Sequence, residues 1–284
     1  GITLVDKPLI EKIWKDRPKD DRKPIYVRAE KYTGRSTSDK LATLRGIMAE
    51  KGVTHFLVTA LDDIAWVTNL RGNDVNFNPV FLAYLCITPK SATLFVDTKQ
   101  CDDSVKAYLK EQHIELKDYH DYFKELQKLK GETILLSPDA NQTIYNTVGE
   151  HNTLHIAPSP VQLLKAVKNE LEGFRKAMVK DGVALVNFFY WLENNIGKTP
   201  FTEHSLGDIM DKFRAEQGFL ANSFGKIIGY EGNGAIVHYH AATNPEVPMH
   251  AKGTVLIDSG AHYIEGTTDI TRVIPLGEFS EDFK

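Results

Sequence analysis

Apolar residues recur along this chain at two different periods, and the period changes with position. From Ser36 onward, Leu41, Leu44, Ile47 and Met48 fall on one face of a helix that Gly52 ends, and Thr54–Val58 follows as a β-rich run. The alternation then continues. Strands are predicted over 81–88, 92–96, 133–136 and 153–156, with helical or mixed stretches over 105–111 and 119–130. Helices that alternate with short apolar strands predict a layered α/β domain over residues 35–160. Residues 1–34 hold the charged, proline-containing stretch KIWKDRPKDDRKP, which has no apolar periodicity and reads as a linker or the tail of a preceding domain.

Pro158 and Pro160 interrupt this pattern, and a long helical run is predicted from about Val161 to Asn195, with Leu164, Val167, Leu171, Phe174, Met178, Val183 and Val186 as its apolar face. Thr202 is a good N-cap for a further helix that reaches Gly218. Beyond it the period shortens to that of strands, predicted over 226–228, 235–239, 254–258 and 268–274. Residues 161–284 therefore read as a second, α+β domain.

Composition narrows the range of functions. With 34 Lys plus Arg against 38 Asp plus Glu, the net charge is −4, and no basic stripe interleaved with aromatics is present, so nucleic acid is not an expected partner. The longest apolar stretches are too short for a membrane span, and the charged N-terminal residues do not resemble a signal peptide. Cys86 and Cys101 lack CxxC spacing, which fits a reducing, cytoplasmic setting.

The chemistry concentrates near the end of the chain. Asp258 follows the apolar run Val255-Leu256-Ile257, and Asp269 lies eleven residues later among β-branched residues. If these strands pair as a hairpin, two carboxylates meet in a poorly solvated place and repel each other unless a cation lies between them. A solvated turn is the plainer alternative. Arg272, three residues beyond Asp269, projects from the opposite face of a regular strand and is a poor counter-ion, so a divalent metal is favoured. His238 and His240 alternate on the predicted strand 235–239 and its continuation. They read equally well as zinc ligands or as polar residues at an exposed strand end. The glycine-rich run 229–234 has no GK[ST] and no helix after it, and Ser259 is not in a nucleophile elbow.

The segments IDSGAHYIEGTTDITR and GNGAIVHYHA resemble the active-site segments of aminopeptidase P, the X-prolyl aminopeptidases of the pita-bread metallopeptidase family. Leu61-Asp62-Asp63-Ile64-Ala65-Trp66, Asn69-Leu70-Arg71-Gly72-Asn73-Asp74 and Asn78-Pro79-Val80-Phe81 are similar to the middle domain of its large, three-domain cytosolic form, and Ala166-Val167-Lys168-Asn169 resembles the entry to its catalytic domain. The resemblance implies a creatinase N-terminal-like, ribonuclease H-like α/β middle domain followed by an incomplete α+β pita-bread catalytic domain. It implies two divalent ions, usually manganese, held by two aspartates, one histidine and two glutamates. Asp258 and Asp269 match the two aspartates. His238 matches a catalytic histidine outside the metal shell that contacts substrate, which removes His240 from the ligand set. The implied partners are peptides with proline at the second position and a second copy of the chain as a homodimer.

The pattern departs from the family at its end. The remaining histidine and glutamate ligands lie downstream in relatives, whereas this sequence ends fifteen residues after Asp269. The expectation is a fragment that is inactive by itself. Prolidase is a close alternative, and a non-catalytic pita-bread binding module is a more distant one.

Overall fold

In the computed structural model, residues 9–18, 21–165, 170–241, 246–278 and 281 are described. The first part of the chain runs α1 (Ile10–Ile13), β1 (Tyr26–Val27), α2 (Glu30–Thr33), α3 (Thr37–Glu50), β2 (His55–Val58), α4 (Leu61–Thr68), β3 (Leu70–Arg71), β4 (Ala83–Ile87), β5 (Ala92–Val96), α5 (Asp103–Glu111), β6 (Ile114–Asp118), α6 (Tyr122–Leu126), β7 (Thr133–Leu136), α7 (Gln142–Gly149), β8 (Thr153–Ile156) and α8 (Pro160–Lys165). The helix expected after Ser36 forms because the Ser36 hydroxyl caps it, accepting from the Asp39 N–H, and it buries Leu41, Leu44 and Met48. Six strands make one mixed sheet in the order β6-β5-β4-β2-β7-β8, in which β4 is antiparallel to β2 and β5 and the other pairs are parallel. Strands buried on both faces explain their nearly continuous apolar runs. One face packs on α3, α4 and α5 through Leu44, Ile64, Val67 and Val105, and the other on α6 and α7 through Tyr122 and Ile144. Ile25 joins the first of these cores, and Tyr26–Val27 pair with Leu70–Arg71, so the segment before Gly34 adds a strand here.

The second part holds α9 (Leu171–Asn195), α10 (Glu203–Ala215), β9 (Ala221–Asn222), β10 (Ile227–Tyr230), β11 (Thr254–Ser259), β12 (Ala261–His262) and β13 (Ile270–Pro275). The helical run predicted over 161–195 is here two helices, α8 and α9, and Ala166–Asn169 fall outside the described residues. The buried face of α9 is also not the one its periodicity suggests. Ala177, Asp181, Ala184, Leu185, Phe188 and Leu192 are buried, whereas Phe174, Met178, Val183 and Val186 stay 43–67% exposed. The helix is apolar on two sides, and the sheet covers only one of them. Thr202 caps α10 in a capping box with Ser205, as its position predicts. Strands β10, β11 and β13 form an antiparallel sheet that buries Ile228, Val255 and Ile257 against Phe188, Leu206 and Met210. Its opposite face, with Leu256 and Val273, is covered only in part, by the Glu231–Ala235 turn over Gly229 and Leu256, and Val273 is 50% exposed.

A compact seam joins the two parts. Arg28 donates from Nε to the Ile264 carbonyl at 3.0 Å and from Nη2 to the Glu265 carbonyl at 2.9 Å, and its Nη1 pairs with Glu170. A Cβ on Gly173 of α9 would stand 2.4 Å from the Glu265 oxygen, so only glycine allows the helix this close to the 263–267 turn. Among the described residues, no helix is long and apolar enough to cross a membrane.

Candidate metal centre

Asp258 lies in β11, whose register against β13 pairs it with Thr271 and pairs Ser259 with Ile270. The same register continues past the strand end, since the Thr268 N–H donates to the Ala261 carbonyl at 2.8 Å. Asp269 is therefore opposite Gly260 and two residues before Thr271. Residues two apart on a strand share a face, so both carboxylates project from the face opposite the helices as diagonal neighbours, with Cα atoms roughly 7–8 Å apart. Arg272 pairs with Ile257, which places it on the other face, as its spacing predicts. Asp258 is half-buried, and its Oδ1 has no hydrogen-bond partner. A buried, unpartnered carboxylate oxygen is destabilising unless something absent from the chain itself completes it.

A buried ion pair fixes the strand ends that carry these two residues. Arg214 of α10 and Asp181 of α9 are both fully buried, with Nε to Oδ1 at 2.8 Å and Nη2 to Oδ2 at 3.1 Å. The Arg214 Nη2 also donates to Ser259 Oγ at 3.0 Å, beside Asp258. Asp181 accepts from the Thr268 hydroxyl at 2.7 Å, beside Asp269, and from the Tyr263 hydroxyl at 3.0 Å. Burial and the adjacent Asp181 charge push the Tyr263 phenol upward, which keeps it a donor. Gly260 sits between these anchors, and a Cβ there would lie 2.1 Å from Ser223 Oγ and 2.3 Å from the Thr268 carbonyl. The glycine of the IDSG segment is thus required by close approach. Nothing in the local sequence marks Asp181 or Arg214, because their partners are 33 and more residues away.

The strand predicted over 235–239 does not form. Residues Glu231–Ala235 make a 3₁₀ turn, and His238 follows in a turn with φ +56° and is exposed. The buried Glu203 carboxylate, at the start of α10, draws this segment inward. It accepts from the Tyr230 N–H at 2.6 Å, the Asn233 amide at 3.0 Å and the Tyr239 hydroxyl at 2.7 Å. A side chain therefore organises the loop where periodicity suggested strand pairing. His238 and His240 do not share a strand face, and the HxH zinc reading loses its geometry. His240 instead places its ring over Gly225, next to the ring of Phe77 from the first part of the chain. Among the described residues, no group of three or more His, Cys, Asp or Glu side chains is arranged to hold a metal.

The hard oxygen donors Asp258 and Asp269, with one oxygen unpartnered, suit a Mn²⁺- or Mg²⁺-type ion, although two carboxylates leave most of its coordination sphere to other ligands. Residues 16–172 match the creatinase/prolidase N-terminal domain, and residues 172–284 match metallopeptidase family M24. The chain belongs to the Xaa-Pro aminopeptidase P family. It is 37% identical to a probable Xaa-Pro aminopeptidase P of Sordaria macrospora over 98% of this chain and 48% of that one, and 36% identical to Xaa-Pro aminopeptidase 1 of Dictyostelium discoideum over 98% and 46%. The crystal structure of X-prolyl aminopeptidase from Caenorhabditis elegans, described as a cytosolic enzyme with a di-nuclear active site, superposes with a TM-score of 0.91 at 28% identity, over 98% of this chain and 47% of that one. The chain thus spans about half the length of the family members it matches. The α/β domain is the creatinase N-terminal type, and the α+β domain is of the M24, pita-bread type.

Proposed function

We propose that this chain carries part of the catalytic apparatus of a metal-dependent aminopeptidase that hydrolyses the first peptide bond of X-Pro peptides. The observation that supports this reading is the register that sets Asp258 and Asp269 as diagonal neighbours on the sheet face opposite the helices, one of them with an unpartnered buried oxygen. Asp258 and Asp269 would hold two divalent ions, manganese by preference, together with ligands from outside residues 1–284. The ions, when bound, lower the pKa of a coordinated water and polarise the scissile carbonyl. His238, exposed on its turn, would contact substrate and support the tetrahedral intermediate. Leu256 and Val273, on the same face, line a cavity of about 780 Å³. An X-Pro bond is a tertiary amide without N–H, so recognition depends on the shape of the proline ring. A cytoplasmic homodimer is part of the proposal.

The test extends the chain to the length of its relatives and measures release of arginine from Arg-Pro-Pro with added manganese. Metal-dependent release, abolished by Asp269→Asn and reduced by His238→Ala, is the expected outcome. Release that is indifferent to chelator and to Asp269→Asn would refute the assignment.

A further inference from the structure

The seam between the two domains contains a second cavity, which neither aspartate lines. A cavity of about 420 Å³ opens there, lined on its polar side by Tyr26, Arg28, Arg71, Glu170 and His262 and on its apolar side by Phe77, Phe174 and Leu220. Arg28 is fully engaged, since Glu170 and two carbonyls take its three nitrogens. Arg71 is different. Its Nη1 donates to the carbonyls of Ala65 at 2.7 Å and Leu70 at 2.9 Å, and among the described residues no carboxylate forms an ion pair with it. Behind it, Lys40 is fully buried and, among the described residues, likewise has no carboxylate partner. It donates to the Trp66 carbonyl at 2.7 Å and Asn69 Oδ1 at 2.6 Å, with its Nζ 4.1 Å from the Trp66 ring centre.

Glu170 is the carboxylate that faces this group of cations, and it is committed to Arg28. The region therefore holds unneutralised positive charge in a poorly solvated place, an arrangement that is destabilising until an anion arrives. The charges show the strain. Burial, with neighbouring cations adding to it, brings Lys40 down to about 7 and Arg71 down to about 10. The Tyr26 side chain stands beside Arg71, its cross-strand partner, and close enough to both arginines to feel their charge. With Nη1 taken by main-chain carbonyls, the Nε–Nη2 edge of Arg71 beside Tyr26 matches the two oxygens of a carboxylate. The apolar wall across the cavity has room for more than a bare ion.

We propose that the interdomain cleft binds a small carboxylate with an apolar body, its charged end on Arg71 and the Tyr26 hydroxyl and its body against Phe77, Phe174 and Leu220. This site does not depend on the metallopeptidase reading. Titration calorimetry on the 284-residue chain tests it with benzoate, benzamide and inorganic phosphate as probes. Benzoate is expected to bind at one site, and Arg71→Gln is expected to weaken it at least tenfold. Benzamide, which keeps the shape and lacks the charge, is expected not to bind. Should Arg71→Gln fail to fold, Tyr26→Phe keeps the strand pairing and is expected to weaken benzoate severalfold. No benzoate binding, or equal binding of benzoate and benzamide, overturns the proposal. Binding of phosphate without benzoate also overturns it, in favour of a bare-anion site.

Discussion

Replacing Arg214 by Met tests whether the buried ion pair, rather than the strand sequence, holds the two aspartates in register. The side chain is fully buried and makes two short bonds to Asp181 and one to Ser259. Methionine fills much of the volume but leaves the Asp181 carboxylate without its cation. Breaking a buried pair from one side costs about 3–5 kcal/mol. Two donors to Asp181 remain, the hydroxyls of Tyr263 and Thr268, so the lower end of that range, about 3 kcal/mol, is expected. At about 1.4 kcal/mol per tenfold, the opening equilibrium of the second domain should rise by more than a hundredfold. Native-state hydrogen exchange on peptides covering Thr254–Ser259 and Ile270–Pro275 reads that change directly, while peptides of the first-domain sheet should remain unaffected. The double variant Asp181→Leu/Arg214→Met removes both charges and should recover part of the loss. A loss under about 1 kcal/mol, or a double variant as unstable as the sum of the singles, would show that the pair does not anchor these strands.

Other outcomes follow from the same structure. Asp258→Asn should stabilise the metal-free chain by about 1 kcal/mol in urea unfolding, because it removes the negative charge from a half-buried group whose Oδ1 is unpartnered, and should weaken manganese binding in calorimetry. Lys40 has its pKa lowered to about 7, so between pH 7 and 10.5 the unfolded state binds more protons and stability rises with pH through this group. The wild-type slope should exceed that of Lys40→Met by up to about 1.4 kcal/mol per pH unit, measured as urea midpoints across that window. Burial pushes the thiols of Cys86 up to about 12 and Cys101 up to about 11, so a thiol-reactive dye at pH 8 should label the native chain slowly and both cysteines promptly in denaturant. Gly173→Ala places a methyl against the Glu265 carbonyl and should cost about 1–3 kcal/mol, with increased exchange confined to the 263–267 turn and the Arg28 segment.

Local rules determined much of this protein. The helix after Ser36, the helix after Thr202, the strands over 92–96, 133–136 and 254–258, and the opposite-face position of Arg272 follow from capping chemistry and from periods of 3.6 and 2. The aspartate pair was legible for the same reason, since two strand carboxylates around a short turn are related by pairing alone. The tertiary structure decided what local patterns do not encode. The face of α9 that packs inward depends on where the sheet lies, because the helix offers apolar residues on two sides. His238 left its predicted strand because Glu203, far away in sequence, captures Tyr230, Asn233 and Tyr239. Asp181 and Arg214 have no local signature, since each is an ordinary charged residue until folding removes both from water and gives them one another. Sequence spacing sets which side chains share a strand or helix face. Contacts between residues far apart in the chain, which depend on burial and charge pairing, set where that face ends up.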